Sequence, residues 1–474
     1  MLRAAAIIAA FSLALPIAAE SAGEKTLGTD TRTALDLVIY NGGFGMVRDR
    51  RAAELAAGAN RIAISGVSRS MDRASAILRA GDAAVLAQLF DFDLLTPDRL
   101  LQASVGGEVD VIVTNPETGV ETVKRARVLS VIGGPVLEID GRIETGVPGR
   151  LAFDRLPDGV RAAPSLVADL QAPSAGKRTI ELGYLSSDLD WNADYVAEIS
   201  DDGASLFLET WATLSNMTDT DFDNAAISLV SGSVNRSRAP QPKMAPMVMR
   251  SEAMVSSDAA PGGAMPEREG LGDYHLYRLD GNVSLGQRES RKIALFKPAR
   301  VASERRYVFR GGQHFYSNRF QEQRQSPAIE IRFTNDRKAG LGEPLPEGTV
   351  RLYQRDKAGL PVFIGEDRIA RTPENQEVTL RIGQAFDVTA KRRQTEYDRR
   401  KDSLGNLVTT AWEMTISNAG EKPVTVDVEE QLYGDWNILE SSEGYERIDA
   451  FRIRWTVSVP AGGDKQLTWR ARVR

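Results

Sequence analysis

Residues 451–459 read FRIRWTVSV, and this stretch shows the pattern that decides the fold. Apolar side chains alternate at every step with charged or hydroxyl-bearing ones. Successive side chains of a β-strand point to opposite faces, so this alternation is typical of a strand with one buried face. The same period of two occurs in residues 206–214, 329–334, 412–417 and 424–429. Because such strands must bury their apolar faces against a second sheet, we predict an all-β fold of antiparallel β-sandwich domains.

A smaller β-rich unit is predicted earlier in the chain. Valines stand at every second position of residues 109–113, and turn sequences follow at Asn115-Pro116 and Gly133-Gly134-Pro135. Short strands separated by regular turns predict a compact, β-barrel-like unit within residues 104–153. Thr96 followed by Pro97 predicts the start of a short helix just before it.

These patterns divide the chain into regions. We predict an N-terminal β-rich region over residues 35–175, which includes the small barrel, and a β-sandwich region over residues 176–235 and 269–474. Residues 236–268 between them are rich in proline and methionine and contain no aromatic residue. Such a segment has little to bury, so we predict a disordered linker or loop. A copper(I) site built from methionine thioethers is the alternative, although the methionines are irregularly spaced.

The N-terminus has the order of a secretory signal. Arg3 is followed by the apolar residues 4–15, then by Pro16 and by the small residues Ala18-Ala19. The apolar run is shorter than the roughly 20 residues that a membrane-spanning helix needs, so a membrane anchor is the less favoured interpretation. We therefore predict that residues 1–19 are a signal peptide and that the mature chain, without a transmembrane span, is periplasmic or extracellular.

The composition excludes several classes of function. The chain has no cysteine and only two histidines, His275 and His314. Thiolate sites and three-histidine zinc sites are therefore impossible, and the commonest general base is scarce. No G-x-S-x-G elbow is present. The formal net charge of −6 argues against a nucleic-acid partner. We predict no cofactor, and we expect both histidines to be structural or exposed.

The densest group of carboxylates lies in residues 186–195, SSDLDWNADY, where Asp188, Asp190 and Asp194 surround Trp191. A glycoside hydrolase needs two carboxyl groups across the bond that it cleaves, so these residues are candidate catalytic groups. The alternative, which we favour, is a strand-to-strand corner in which aspartates accept turn hydrogen bonds. Trp191 and Tyr195 would then lie on one strand face as core anchors.

A second acidic group, Asp219, Asp221 and Asp223, stands at alternate positions of the sequence MTDTDFDNAA. Carboxylates spaced in this way can surround calcium when the loop curls tightly. An EF-hand is excluded, because Asn224 and Val230 occupy the places of its glycine and glutamate. A looser calcium loop and an ordinary acidic loop remain, and the acidic loop is the favoured interpretation.

Two basic runs, Lys391-Arg392-Arg393 and Arg399-Arg400-Lys401, are interrupted by Glu396 and Asp398. Mixed charges at this density are typical of a solvated β-hairpin. Anionic polysaccharide or lipid headgroups are the alternative partners for these cations.

Four short motifs carry a family resemblance: WNADY at 191–195, VSGSVNR at 230–236, IGED at 364–367 followed by Thr372-Pro373, and AFDVT at 385–389 after Gly383. In this order the chain resembles the bacterial domain-of-unknown-function 4139 family, some members of which are labelled mucoidy inhibitors. The resemblance extends from about Leu35 to Arg474. It implies a β-rich, envelope-associated protein without assigned catalytic residues. The chain differs from the mucoidy-inhibitor type in lacking a coiled-coil stretch before residue 191.

The sequence thus predicts an exported envelope protein that binds another envelope component, protein or polysaccharide, without catalysis. Two alternatives remain. One is a carboxylate-dependent polysaccharide hydrolase that uses Asp188, Asp190 and Asp194. The other is a calcium-binding envelope module that uses residues 219–223.

Overall fold

The structure is a computed structural model that describes residues 23–92, 95–155, 161–232, 234–235, 268–271, 274–312, 314–403 and 405–474. The predicted signal peptide, residues 1–19, lies outside the described residues, and so does the predicted disordered segment 236–268 apart from its last residue. About 65% of the chain is strand and 5% is helix, which confirms the predicted all-β class. Within the described ranges, none of the helices combines the length and the apolar composition that crossing a membrane requires.

Strands make up most of the described chain. Those of the first half are β1 Lys25–Leu27, β2 Arg32–Tyr40, β3 Phe44–Leu55, β4 Gly58–Ser65, β5 Ile77–Ala80, β6 Ala84–Asp91, β7 Glu108–Thr114, β8 Glu121–Ser130, β9 Val136–Ile139, β10 Arg142–Thr145, β11 Arg150–Ala152, β12 Ser165–Ala172, β13 Gly176–Ser187, β14 Leu189–Ile199, β15 Ser205–Asn216 and β16 Phe222–Ser231. Those of the second half are β17 Arg268–Leu271, β18 Tyr274–Leu285, β19 Glu289–Arg310, β20 Gln323–Gln325, β21 Ala328–Thr334, β22 Gly348–Arg355, β23 Pro361–Ile369, β24 Glu377–Gln384, β25 Val388–Asp402, β26 Gly405–Asn418, β27 Val424–Gln431, β28 Trp436–Ser441, β29 Tyr445–Arg447, β30 Arg452–Val459 and β31 Gly463–Val473. The helices are short: α1 Pro97–Ala103, α2 His314–Ser317 and the 3-10 turns Thr29–Thr31, Arg73–Ser75 and Arg337–Ala339.

The largest core lies among three sheets. One is a four-stranded sheet in the order β1-β4-β12-β6, and the second is a seven-stranded sheet in the order β17-β18-β16-β2-β3-β13-β5. Apolar side chains of both pack in one cluster with those of β14, β15 and β22, which belong to a ten-stranded sheet. The seven-stranded sheet combines β2, β3 and β5 with β13, β16, β17 and β18, so strands from both sides of the predicted boundary at residue 176 share one sheet.

Trp191 and Tyr195 are fixed points of this core. Both lie on the inner face of β14 and are 1% and 0% exposed, which confirms the prediction that they anchor the sheet. Each buried polar atom is satisfied: the Trp191 indole donates to the Val230 carbonyl at 3.0 Å, and the Tyr195 hydroxyl donates to the Pro346 carbonyl at 2.7 Å. A buried indole or phenol without such a partner would cost stability.

The small unit predicted within residues 104–153 is one antiparallel sheet in the order β10-β9-β8-β7-β11. It has a core of its own, built on Val109, Val111, Val128 and Leu137. Helix α1 precedes it, and the Thr96 hydroxyl accepts a hydrogen bond from the Arg99 N–H at 3.2 Å, as the predicted cap requires.

The C-terminal sandwich is defined by two sheets. The ten-stranded sheet runs β23-β22-β14-β15-β19-β27-β30-β29, with β21 pairing β19 and β24 pairing β21; the other sheet is five-stranded, β20-β25-β26-β31-β28. Strands β27 and β30 bury their inner faces against β26 and β31, and the shared core includes Trp412, Met414, Trp455 and Trp469. Strand β19 is 22 residues long and pairs β15 along its first part and β27 along its last part. It therefore ties the C-terminal sandwich to the rest of the molecule.

Candidate functional site

A groove of about 600 Å³ crosses the five-stranded sheet of the C-terminal sandwich. Four neighbouring strands, β25, β26, β31 and β28, supply its walls and floor. Its polar lining consists of three carboxylates, one guanidinium group and several hydroxyl groups. This set of side chains, which we call the sheet groove, can donate and accept hydrogen bonds along an extended ligand.

One row of side chains crosses all four strands of the sheet groove. In the register of the sheet, Glu396 stands opposite Ala411, Ala411 opposite Arg470, and Arg470 opposite Glu440. The methyl group of Ala411 is small enough for Arg470 to reach across it, so Arg470 donates two hydrogen bonds to Glu396, at 2.9 and 2.8 Å. Another guanidinium nitrogen of Arg470 lies 3.6 Å from Glu440. These carboxylates raise the pKa of Arg470, chiefly through the hydrogen bonds that Arg470 donates to Glu396.

The next row carries a second ion pair and the remaining polar groups. Glu413 stands opposite Arg393 on one side and Thr468 on the other. The Arg393 guanidinium donates to Glu413 at 2.9 Å, and the backbone N–H of Thr468 donates to the Ser442 hydroxyl at 2.9 Å. Ala411 and Thr468 have short side chains, so the middle of the sheet groove is a depression between the longer charged side chains on either side.

Two β-bulges flank the sheet groove. The register between β25 and β26 shifts between Gln394 and Glu396, and the register between β28 and β31 shifts between Ile438 and Glu440. Each bulge adds one residue to its strand, which bends the strand and redirects the neighbouring side chains. Bulges of this kind are frequent beside functional sites. No turn motif or glycine in the sequence predicted these two bulges.

A buried ion pair lies beneath the sheet. Arg392 of β25 and Glu430 of β27 are each 1% exposed, and the two guanidinium nitrogens donate to the two carboxylate oxygens at 2.6 and 2.9 Å. The Tyr316 hydroxyl also donates to Glu430, at 2.7 Å, and accepts from the Trp469 indole at 3.1 Å. Burial, reinforced by the Glu430 charge, raises the pKa of Tyr316 well above its ordinary value.

Aromatic rings surround the guanidinium group of Arg392. Its central carbon lies 3.8 Å from the ring centroid of Phe315, 4.3 Å from that of Trp412 and 5.1 Å from that of Trp469. Rings at these distances stabilise a cation through their negative faces. The interpretation of residues 391–393 as a wholly solvated run was therefore wrong for Arg392, since strand alternation turns it inward between its exposed neighbours.

The three candidate catalytic aspartates have separate partners. Asp188 accepts from the Ser70 hydroxyl at 2.6 Å, and its own φ is 66°. Asp190 accepts from the backbone N–H groups of the Gly42-Gly43 turn at 3.1 and 3.2 Å. Asp194 accepts from the Thr213 hydroxyl at 2.6 Å and lies 3.3 Å from the Arg351 guanidinium. Each carboxylate thus fastens β14, or the turn before it, to a different element.

Two of the candidate calcium residues, Asp219 and Asp221, lie in the connection between β15 and β16, and Asp223 lies at the start of β16. Asp219, Asp221 and Asp223 are all more exposed than the alternating Thr220 and Phe222. Asp219 lies 3.7 Å from the Arg69 guanidinium, and Asp221 accepts from the Gln287 backbone N–H at 2.8 Å. Among the described residues, no set of three or more histidine, aspartate or glutamate side chains is arranged to hold a metal ion.

The two histidines lie in different elements. His275 is in β18, opposite Ser231 of β16. His314 begins helix α2, where its ring packs against Phe315 with the ring centroids 4.1 Å apart.

Comparison with known sequences places the sheet groove inside a recognised family region. The sequence model of the family described as "Domain of unknown function (DUF4139)" matches residues 180–474, which is more than half of the chain. The matched region includes the whole C-terminal sandwich and the WNADY motif of β14. The search of curated proteins found no match. The resemblance seen in the four short motifs is therefore confirmed over residues 180–474, and the chain belongs to the DUF4139 family.

Proposed function

We propose that this protein is an exported, non-catalytic binding protein of the cell envelope, and that the sheet groove holds its ligand. The observation that carries this proposal is the row of Glu396, Arg470 and Glu440 across a 600 Å³ depression between two bulges. The signal-like N-terminus supports export. The absence of cysteine means that the stability of the chain depends on packed sheets and not on disulfides.

Binding suits the chemistry of the sheet groove better than catalysis. A hydrolase of the two-carboxylate type needs a general acid that stays protonated, usually in apolar surroundings. Glu396 and Glu413 instead accept hydrogen bonds from Arg470 and Arg393, at 2.8 and 2.9 Å. These pairs hold the walls in place and leave further donor and acceptor sites for a ligand.

The lining also indicates what kind of ligand fits. Carboxylates, guanidinium groups and hydroxyl groups can bind the hydroxyls of a sugar chain or the amides of a peptide. The floor offers little apolar surface, since Trp412 and Trp469 are only 1% and 2% exposed. The ligand is therefore a polar envelope component, polysaccharide or protein, that lies across the strands.

A groove-filling variant tests this proposal. Thr468→Trp places a large ring in the centre of the sheet groove without altering the core beneath. Thr425→Trp is the matched control, since Thr425 is exposed on β27 of the opposite sheet. In affinity capture from envelope extract, we expect one component to be retained by the wild type and by Thr425→Trp and lost by Thr468→Trp. Equal retention by Thr468→Trp would contradict a role for the sheet groove.

Two further measurements test the remaining parts of the proposal. Fractionation of producing cells should find the chain outside the cytoplasm, with its first residues removed. Incubation of the captured component with the protein should leave it intact. Recovery of shortened fragments would overturn the non-catalytic assignment and favour the polysaccharide hydrolase instead.

A further inference from the structure

A second cavity, of about 370 Å³, lies at one end of the C-terminal sandwich. The β25–β26 hairpin supplies Arg399 and Asn406 to its wall, and the connection before β28 supplies Tyr433. We propose that this end cavity binds a sugar ring that carries a carboxylate group. The inference goes beyond the function assigned to the sheet groove, because a different set of residues carries it.

Arg399 is the first reason. Among the described residues its side chain makes no hydrogen bond or ion pair, whereas the side chain of its neighbour Arg400 donates to Asp398 at 2.7 Å. Arg393, on the same strand, is likewise paired, with Glu413. An exposed guanidinium group that lines a cavity without a carboxylate partner offers a planar fork of donors. That geometry matches the two oxygens of a ligand carboxylate.

Asn406 supplies the second polar group. Its side chain is exposed, lines the same cavity and makes no hydrogen bond to any described residue. In the register of the hairpin, Asn406 stands opposite Lys401 and two positions from Val408, which faces Arg399. An amide both donates and accepts, so it suits the hydroxyl groups beside a sugar carboxylate.

The third reason is an exposed aromatic pair. The rings of Tyr433 and Phe451 stack with their centroids 5.5 Å apart and an angle of 26° between the planes. Phe451, which the sequence pattern placed in the core, instead precedes β30 and is 46% exposed, and Tyr433 is 37% exposed. Exposed apolar surface beside polar groups is typical of a binding site. The apolar face of a sugar ring can cover it.

The aromatic pair is held in place before any ligand arrives. The Leu432 N–H donates to the Phe451 carbonyl at 2.7 Å, which joins the two connections that carry the rings. Leu432 is itself 0% exposed and anchors its connection in the core. The Gln431 amide also donates to the Tyr433 hydroxyl. A preformed site loses little entropy on binding, and its volume lies within the range of roughly 300–1,000 Å³ usual for small-molecule sites.

Titration calorimetry of the purified chain with trigalacturonic acid tests the inference, with a neutral trisaccharide and inorganic phosphate as the comparison ligands. We expect saturable binding of the trigalacturonate, with affinity at least about tenfold higher than for either comparison ligand. That factor is modest for one charge-assisted pair. If the neutral trisaccharide bound with equal affinity, the Arg399 guanidinium would not recognise a ligand carboxylate, and the inference would be contradicted. If phosphate bound with equal affinity, the cavity would be a general anion site without preference for a sugar, which would contradict the inference. Absence of trigalacturonate binding would overturn it.

Matched variants locate the binding. Arg399→Gln should weaken trigalacturonate binding by about tenfold or more, and Arg400→Gln, which removes a cation already paired with Asp398, should leave it nearly unchanged. Tyr433→Ala should weaken it as well, whereas Phe386→Ala removes a 94% exposed ring elsewhere and should not. Equal effects of the two arginine variants would contradict the inference. Thr468→Trp should leave this binding intact, so a failure here is distinguishable from a failure of the sheet groove.

Discussion

Arg392 and Glu430 form a two-point ion pair inside the C-terminal sandwich, with donor–acceptor distances of 2.6 and 2.9 Å and 1% exposure of each residue. The pair joins the two sheets, since Arg392 belongs to β25 and Glu430 to β27. Charges taken out of water in this way are costly unless both partners remain present. The pair therefore makes the packing of the two sheets depend on a specific contact.

Removal of one partner should destabilise the protein strongly. Within the described part of the chain, Arg392→Met leaves the buried Glu430 carboxylate with the Tyr316 hydroxyl as its one remaining side-chain hydrogen-bond donor. We expect a loss of about 3–5 kcal/mol in the free energy of unfolding, measured by urea denaturation. The double variant Arg392→Met/Glu430→Gln should be more stable than Arg392→Met alone, because no unpaired charge remains. A single variant that costs less than about 1 kcal/mol would contradict this account.

Gly311 should tolerate no side chain. A Cβ atom at this position would lie 2.3 Å from both carboxylate oxygens of Glu430. The carboxylate cannot move aside, because Arg392 and Tyr316 hold it. Gly311→Ala should therefore cost about 1–3 kcal/mol, as overpacked cores do. Gly444→Ala is the control, since nothing lies within 4 Å of its added Cβ; a similar loss in both variants would show that the Glu430 contact is not the cause.

The period of two predicted which face of each strand is buried, but not the surroundings of its charges. Trp412, Met414 and Ile416 are buried as predicted. Asp427 and Glu429 of β27 point away from them, as predicted, yet are 0% and 6% exposed because arginines of neighbouring strands cover them. Whether arginines cover a carboxylate depends on which strands are neighbours in the sheet. The alternation of side chains within one strand does not indicate which strands are neighbours.

The sheet groove could not be predicted for the same reason. Its row joins Glu396, Ala411, Glu440 and Arg470, which lie far apart in the chain. A shift of register by one residue would send each of these side chains to the opposite face. The sequence indicated the strands, and the turns and bulges that set their register became visible only in the structure.

Glu330 should contribute stability that is lost in acid. Burial alone would raise its pKa, but hydrogen bonds from Arg332 and Arg310, at 2.8 and 2.5 Å, outweigh burial and lower the pKa. A carboxyl group with a lowered pKa in the folded state stabilises that state above its unfolded pKa, near 4.3. This stability disappears as the pH falls through the folded pKa.

The variant Glu330→Gln tests that contribution. We expect it to lower the free energy of unfolding at pH 7 and to flatten the decline of stability between about pH 5 and pH 3, measured by urea denaturation. Glu421→Gln is the control, since Glu421 is exposed and has no ion pair within the described part of the chain. If the free energy of unfolding fell as steeply with decreasing pH in Glu330→Gln as in the wild type, the contribution of Glu330 to acid sensitivity would be excluded.

Three of the buried tyrosines should make the fold sensitive to alkali. Burial raises the pKa of Tyr184, Tyr195 and Tyr316 above the ordinary value of 10.0. The folded state therefore keeps protons that the unfolded state loses above about pH 10, so stability falls as the pH rises past that value. Each tyrosine adds up to about 1.4 kcal/mol per pH unit to the decline. Tyr195→Phe should reduce the slope by about half a proton at pH 10, rising towards one proton at pH 11, and should leave it nearly unchanged between pH 8 and 9. A slope equal to that of the wild type would contradict the assignment.

Asp188, Asp190 and Asp194 should act on stability as three independent anchors. Among the residues that the structure describes, they share no hydrogen-bond partner: one accepts from Ser70, one from the Gly42-Gly43 turn, and one from Thr213 and Arg351. Replacement of each by alanine should cost about 0.5–2 kcal/mol, and the triple variant should cost nearly their sum, because unlinked sites add. Catalytic groups that work together behave differently, since the loss of one abolishes most of the activity and further losses add little. Urea denaturation of the single and triple variants gives the first comparison, and release of sugar fragments from envelope polysaccharide gives the second. Measurable release by the wild type that any one of these replacements abolishes would establish the hydrolase, and additive losses of stability without such release establish the anchors.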